Sequence, residues 1–269
     1  MASQSKLSEL FIKCKSENRA ALIGYLPAGF PNQSDSIKII KAMIEGGVDA
    51  VEIGFPYSDP VMDGPVIQEA AEVARNNGIT MAKTLDIVKE ISGTGVPTLL
   101  MTYWNPIEKY GPEKFAHDFS IEGMEGVITP DLPIEEAGVW LATAKENSIH
   151  SIFVVAPSTG DGRLKDVTFN CSGFIYAASS MGVTGTQTNV ANTASTLVER
   201  IRKISGTPVA VGLGVSNRSQ ASEVAKFADG VIVGSAFVKA VLQNPNDPAT
   251  AVRKVAEELA LGVRERLLT

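Results

Sequence analysis

Two apolar rhythms alternate along the chain. Short, nearly continuous apolar runs read as buried strands, and longer stretches with apolar residues at helical spacing read as amphipathic helices. Ser5 to Lys15, with Leu7, Leu10, Phe11 and Cys14 on one face, predicts a helix ahead of the first strand, Ala20 to Leu26. Pro27 to Asn32 punctuates that strand. Ser34 is expected to cap a helix to Glu45, with Ile37, Ile40 and Ile44 on one face and Gly46-Gly47 as its stop. The second strand is Asp49 to Gly54, followed by helices over Pro65 to Asn77 and Met81 to Ser92. The third is Pro97 to Thr102, and a helical segment broken by Pro and Gly runs from Pro106 to Ile121. The fourth, Gly126 to Thr129, ends at Pro130-Asp131-Leu132-Pro133, and a helix from Ile134 to Asn147 carries Val139, Leu141 and Ala144. Further strands are expected at Ser151 to Val155, Gly173 to Ala178, Pro208 to Gly212 and Gly230 to Gly234, with helices between them and a closing helix from Pro248 to Leu268.

Eight short apolar strands, each followed by helical sequence, fit the size of a (β/α)8 TIM barrel with an extra N-terminal helix. Strands apolar on both faces suit a parallel sheet whose outer face is covered. A doubly wound open sheet is the rival arrangement. The 269 residues are 44% hydrophobic and 20% charged, with no composition shift or low-complexity linker, so one domain over residues 1–269 is expected. The net charge of −6 argues against nucleic acid or an anionic membrane as the main partner. It leaves room for an anionic small molecule, which backbone amides can bind. The chain has two cysteines, Cys14 and Cys171, and two histidines, His117 and His150, so neither a disulfide framework nor a multi-histidine metal site is expected. No apolar run reads as a signal peptide or a membrane span, and a cytoplasmic enzyme is the expectation.

Chemistry concentrates around the second strand. Val51 and Ile53 share one strand face, and Ala50, Glu52 and Gly54 share the other. If the apolar pair packs on helices, Glu52 points into whatever the sheet encloses. A lone carboxyl group there is costly unless paired, protonated or used. Asp59 and Asp63 follow on the loop, and three carboxyl groups near one strand end suggest acid–base work. For the two aspartates a structural role is an equal competitor: Asp63-Gly64-Pro65 is a normal helix start, and Asp59-Pro60 a normal turn. Asp131 reads as another loop-to-helix cap. Tyr176, on a face with Phe174 and Ala178, and Tyr25, late in the first strand, would reach the barrel mouth or else pack in the core.

Three glycine-rich strand ends follow: Ser179 to Thr186, Gly212 to Ser216, and Val233-Gly234-Ser235-Ala236. In barrels, such loops after the last strands commonly hold phosphate on backbone amides and a helix N-terminus, with a hydroxyl such as that of Ser235 as a further donor. No Lys or Arg occurs between Cys171 and Val198, so a phosphate here is expected to rest on amides and dipoles. No strand carries a Lys, which argues against a strand-borne Schiff base. His150 precedes the fifth strand, on the stability face. What remains is a phosphorylated small substrate, no cofactor, and carboxyl groups moving protons. Isomerisation and carbon–carbon cleavage both fit.

The run Val51-Glu52-Ile53-Gly54-Phe55-Pro56-Tyr57-Ser58-Asp59-Pro60-Val61-Met62-Asp63-Gly64-Pro65-Val66-Ile67-Gln68 closely resembles the signature of the tryptophan synthase alpha chain family. Pro130 to Pro133, Gly182 to Gly185, Gly212 to Gly214 and Gly234-Ser235 match that family in order and spacing, so the resemblance spans essentially the whole chain. It implies a (β/α)8 barrel that cleaves indole-3-glycerol phosphate to indole and glyceraldehyde 3-phosphate by a retro-aldol route. It further implies a pyridoxal-phosphate-dependent beta chain as partner, in an α2β2 complex that passes indole through a tunnel. By position, Glu52 matches the catalytic glutamate and Asp63 the aspartate that accepts the indole N–H. Tyr176 and Tyr25 match residues lining the substrate site. Gly185, Gly214, Gly234 and Ser235 match the phosphate cradle. Asp59 and Thr184 match residues of the two loops that close over substrate and communicate with the beta chain.

Three positions depart from the pattern of the family. Tyr25 stands where a Phe often packs on the indole, Ser180-Met181 replaces an Arg-Ser pair, and Tyr103-Trp104-Asn105-Pro106 differs on a surface that faces the partner. A chain that mainly activates its beta partner, a free-standing indole-producing lyase and another phosphosugar barrel enzyme such as an isomerase stand beside the catalytic subunit as alternatives. Glu52 and Asp63 together favour catalysis.

Overall fold

The computed structural model describes residues 5–178, 187–212 and 214–265, with the backbone alone for 187–190. Its strands are β1 (Ala21–Pro27), β2 (Ala50–Gly54), β3 (Thr98–Met101), β4 (Met124–Ile128), β5 (His150–Ile152), β6 (Val154–Val155), β7 (Ile175–Ala178), β8 (Val209–Gly212) and β9 (Gly230–Val233). They form one sheet in the order β5-β4-β3-β2-β1-β9-β8-β7-β6, and every pair is parallel. The two ends of that order, β5 and β6, are halves of one apolar run separated by Phe153. The ring therefore closes through a single stretch of chain, giving a (β/α)8 barrel rather than an open sheet.

The expected fifth strand, Ser151 to Val155, is thus split. The Phe153 N–H donates to the Cys171 thiol at 3.4 Å instead of to a strand, and the thiol in turn donates to the Phe174 carbonyl at 3.0 Å. The strand breaks where its ladder bond is diverted. β5 pairs with β4, and β6 pairs with β7.

Helices cover the outer face: α1 (Lys6–Ser16) before β1, then α2 (Gln33–Glu45), α3 (Pro65–Asn76), α4 (Met81–Ser92), α5 (Trp104–Tyr110), α6 (Pro112–Ile121), α7 (Gly138–Glu146), α8 (Asp161–Asn170), α9 (Gln187–Arg202), α10 (Arg218–Ala225), α11 (Ser235–Gln243) and α12 (Pro248–Arg264). Val51 and Ile53 are fully buried between strand and helices, as near-continuous apolar strands require. Among the described residues, no helix is long and apolar enough to cross a membrane.

Several helix limits differ from the sequence expectation. Asn32, not Ser34, caps α2: its side chain accepts the Asp35 N–H at 3.0 Å. The buried face of α2 is Ile39, Ile40 and Met43, with Ile37 and Ile44 half-buried beside it. The segment expected from Pro106 to Ile121 is two helices, parted at Gly111, whose φ of 91° a residue with a Cβ rarely adopts. The helix expected from Ile134 begins at Gly138, after a turn in which Glu136 N–H bonds the Pro133 carbonyl. Its buried residues are Trp140, Thr143 and Ala144, while Val139 faces solvent. The closing helix ends at Arg264, and the last residues of the expected span lie outside the described residues.

The N-terminal ends of the strands carry structural polar contacts. Buried Arg19 makes a two-pronged bond to Asp49 at 2.8 and 3.0 Å, and Asp49 also accepts the Leu22 N–H at 2.9 Å. His150 bonds the Ser5 hydroxyl at 2.7 Å at the start of β5, on the face expected for it.

Candidate active site

Glu52 occupies the middle of β2, in register with Tyr25 of β1 on one side and Leu99 of β3 on the other. The alternation that buries Val51 and Ile53 outward turns Glu52 into the barrel. It is 1% exposed, and neither carboxyl oxygen has a hydrogen-bond partner among the described residues. An ionised carboxylate with no donor is strongly disfavoured there. Burial, and then the charge of Asp63, pushes its pKa up to about 8.

Asp63 comes from the loop after β2 and faces the same cavity. Its carboxyl does not cap α3. The N-cap is Gly64, which makes no side-chain cap bond, and among the described residues the Asp63 carboxyl makes no bond to the first turn, so the capping alternative for Asp63 fails. Burial raises its pKa to about 6. At neutral pH the two carboxyl groups therefore differ: Glu52 holds its proton, and Asp63 is mostly ionised. Environments that push two such groups apart separate an acid from a charge stabiliser.

The cavity that both line has a volume of about 440 Å³ and opens at the C-terminal ends of the strands. Tyr25 and Tyr176 form its walls. Burial and the two nearby carboxyl groups hold both phenols well above their usual range, so they stay neutral. Glycines make room for these rings. A Cβ at Gly54 would overlap the Tyr25 hydroxyl, and one at Gly212 would lie 2.7 Å from the Tyr176 hydroxyl. Gly234 would bring a Cβ within 3.0 Å of Tyr25. Gly214 differs: space around it is open, but its φ of +67° is one that favours glycine.

Gly212, Gly214, Gly234 and Ser235 share one end of this cavity wall with the start of α11. Gly234 is the N-cap of α11 and offers no side-chain cap, which leaves the N–H groups of the first turn available to an anion. Lys239, four residues on, also lines the cavity. It lies on a helix, away from the strand ends and glycine loops that carry the sequence signals of this site. The i, i+4 rule applied from Ser235 places it on the same helical face.

Asp59 does not line the cavity. It is exposed on the loop and accepts a hydrogen bond from the Ser58 hydroxyl at 2.5 Å. Thr184 and Gly185, with Ser180-Met181, lie outside the described residues. Asp131 does act as a cap, but of a different helix from the one expected: its carboxylate accepts the Trp104 N–H at the start of α5, at 2.9 and 3.1 Å.

Tyr103 was visible in the sequence only as a departure from pattern. Its buried hydroxyl accepts the N–H groups of Val61 at 3.0 Å and Met62 at 3.2 Å, immediately before Asp63. Its ring stacks on Tyr57, with centroids 4.9 Å apart, and Asn105 donates to the Tyr57 hydroxyl at 3.0 Å. The segment after β3 thus fastens the loop after β2.

The family model for the tryptophan synthase alpha chain matches residues 11–265. The chain is 52% identical to the tryptophan synthase alpha chain of Streptomyces coelicolor over 261 residues, 96% of each chain. It is 53% identical to that of Thermobifida fusca, over 94% of this chain and 95% of that one. Among solved structures, Mycobacterium tuberculosis tryptophan synthase superposes with a TM-score of 0.91 at 46% identity, over 97% of this chain and 99% of that one.

Proposed function

The chain belongs to the tryptophan synthase alpha chain family, whose reaction is the cleavage of indole-3-glycerol phosphate to indole and glyceraldehyde 3-phosphate, and on that premise we propose that Glu52 moves the protons and Asp63 holds the ring charge. Neutral Glu52 donates its proton to indole C3. The ring becomes cationic, and the Asp63 carboxylate accepts the ring N–H. The bond between C3 and the glycerol carbon then breaks. Its electron pair returns to the ring, while Glu52, now a carboxylate, takes the proton of the glycerol hydroxyl. The glycerol carbon leaves as an aldehyde, and Glu52 ends protonated as it began. Substrate and two carboxyl groups account for every proton and electron pair, so the route as written calls for no cofactor.

The observation that carries this reading is the isolation of Glu52: fully buried, without a hydrogen-bond partner among the described residues, its pKa raised to about 8, in one cavity with Asp63 near 6. A resting acid must be protonated at working pH, and a charge stabiliser must not be. The neutral faces of Tyr25 and Tyr176 suit the indole ring, and the amides at Gly214, Gly234 and Ser235 suit the phosphate. We assign Asp59, Thr184 and Gly185 to loop closure and phosphate binding from their match to the family pattern alone. The partner is a tryptophan synthase beta chain; the α2β2 stoichiometry and a cytoplasmic location are part of the proposal. The isomerase alternative gives way to family membership.

Indole release from indole-3-glycerol phosphate by the purified chain, with and without the beta chain, tests this. Glu52→Gln is expected to lose about 10²–10⁴-fold in kcat, the range for a removed general acid–base. Asp63→Asn is expected to lose about 10²-fold, and the partner to raise the wild-type rate. Full activity in Glu52→Gln would sink the mechanism. Strong cleavage indifferent to the beta chain would make this a free-standing lyase.

A further inference from the structure

Ala236, Phe237, Val238, Ala240 and Val241 of α11 are buried, which leaves Ser235 and Lys239 one turn apart on the face that meets the cavity. Lys239 is the one cationic side chain among the described residues that line it, and it has no hydrogen-bond or ion-pair partner among the described residues. The other charged lining groups are both carboxyls, Glu52 and Asp63. A phosphate ester brings a further charge of about −1.5 to −2 into this wall at neutral pH. The N-terminus of α11 answers it with only about half a positive charge. The amides fix the anion's position, but they leave most of its charge unbalanced beside an ionised Asp63. A lysine whose head group is solvated until substrate arrives can balance it as a mobile point charge.

We propose that Lys239 is the cationic partner of the substrate phosphate, closing over the anion from the cavity rim while the Gly234-Ser235 amides hold it from below. This rests on the reading that the phosphate seats at that end of the cavity. It adds a side-chain cation to the amides and dipoles expected from the sequence.

The test compares wild type, Lys239→Gln and Lys239→Arg. Steady-state cleavage is measured with indole-3-glycerol phosphate and with its dephosphorylated analogue. Binding of inorganic phosphate is measured by calorimetry, which needs no turnover. Lys239→Gln is expected to raise KM for the phosphorylated substrate and Kd for phosphate about tenfold each, the size of one solvent-accessible charge-assisted bond. The loss falls on KM rather than kcat, and Lys239→Arg restores most of it. The kcat/KM for the dephosphorylated analogue stays at the wild-type level. Wild-type KM and phosphate Kd in Lys239→Gln would overturn the proposal and leave an ordinary solvated lysine. An equal loss on both substrates would also overturn it, as structural damage. Phosphate binding that depends on Lys239 in a wild-type chain that does not cleave would spare this inference and defeat the catalytic reading instead.

Discussion

The chemistry of this site comes down to what a barrel interior does to one glutamate. Among the described residues nothing donates to Glu52, so the fold keeps it neutral rather than solvating its charge. Two measurable effects follow. The first is a bell-shaped dependence of kcat/KM on pH. The rate rises as Asp63 ionises near pH 6 and falls as Glu52 loses its proton near pH 8. Asp63→Asn is expected to remove the acid limb and keep the alkaline one; a profile flat between pH 5 and 9 would contradict both assignments. The second effect is on stability. A carboxyl whose pKa rises from 4.5 to about 8 on folding takes up a proton that the unfolded chain does not hold in that window. Wild-type stability therefore falls as pH rises between those values, at up to about 1.4 kcal/mol per unit. Glu52→Gln lacks this term. Its Tm is expected to exceed the wild-type value at pH 8 and to converge on it toward pH 4.5, as thermal unfolding at several pH values would show. An acid in mid-strand is legible in the sequence because period-two alternation fixes which way it points. That Asp63 faces the cavity instead of capping α3 is not, because Asp-Gly-Pro fits either role.

At the scale of elements, the loop after β2 is held from outside itself. Tyr103 bonds two consecutive amides just before Asp63, and Asp131 anchors the helix that follows Tyr103. Tyr103→Phe would leave the Val61 and Met62 amides without that acceptor; Val61 is exposed and Met62 half-buried, so water replaces part of it and the cost is about 0.5–1.5 kcal/mol. The expected outcome is faster hydrogen exchange at those two amides and a kcat/KM about tenfold lower, with β-strand amides unchanged. Wild-type exchange at both amides would show that Tyr103 does not hold the loop. At Gly54 the constraint is space. A Cβ there meets the Tyr25 hydroxyl, so Gly54→Ala is expected to displace the ring and destabilise by about 1–3 kcal/mol, read by denaturant unfolding. The strands were readable because each is a continuous apolar run. The split of the fifth at Phe153 was not, because the Cys171 thiol that diverts its N–H lies 18 residues away in sequence. The break at Gly111 left a trace in Gly111-Pro112, but its positive φ shows only in the backbone.

For the whole molecule, ring closure divides the strands into two functional ends. The N-terminal ends hold Arg19, Asp49 and His150 in structural bonds. The C-terminal ends gather Glu52, Tyr176, Gly212 and Gly234 from distant parts of the chain around one cavity. This division was legible from strand polarity, since Gly212 and Gly234 close their apolar runs and Glu52 and Tyr176 lie just past the middle of theirs. Lys239 escaped because helix positions contribute to the cavity only where a helix begins at its rim, and that depends on how α11 leaves β9. At this scale the chain's indole output is expected to rise when a beta chain is added, as the coupled assay above measures.

The claim on which the mechanism stands is that Glu52 rests as a neutral acid. The most direct measurement is a difference infrared spectrum, wild type minus Glu52→Gln, followed from pH 5 to pH 10. The expected result is a protonated carboxyl band at pH 7 that belongs to Glu52 and disappears with a midpoint near 8. A carboxylate band already complete at pH 6 would contradict it, and would leave the first proton transfer to indole C3 without a donor.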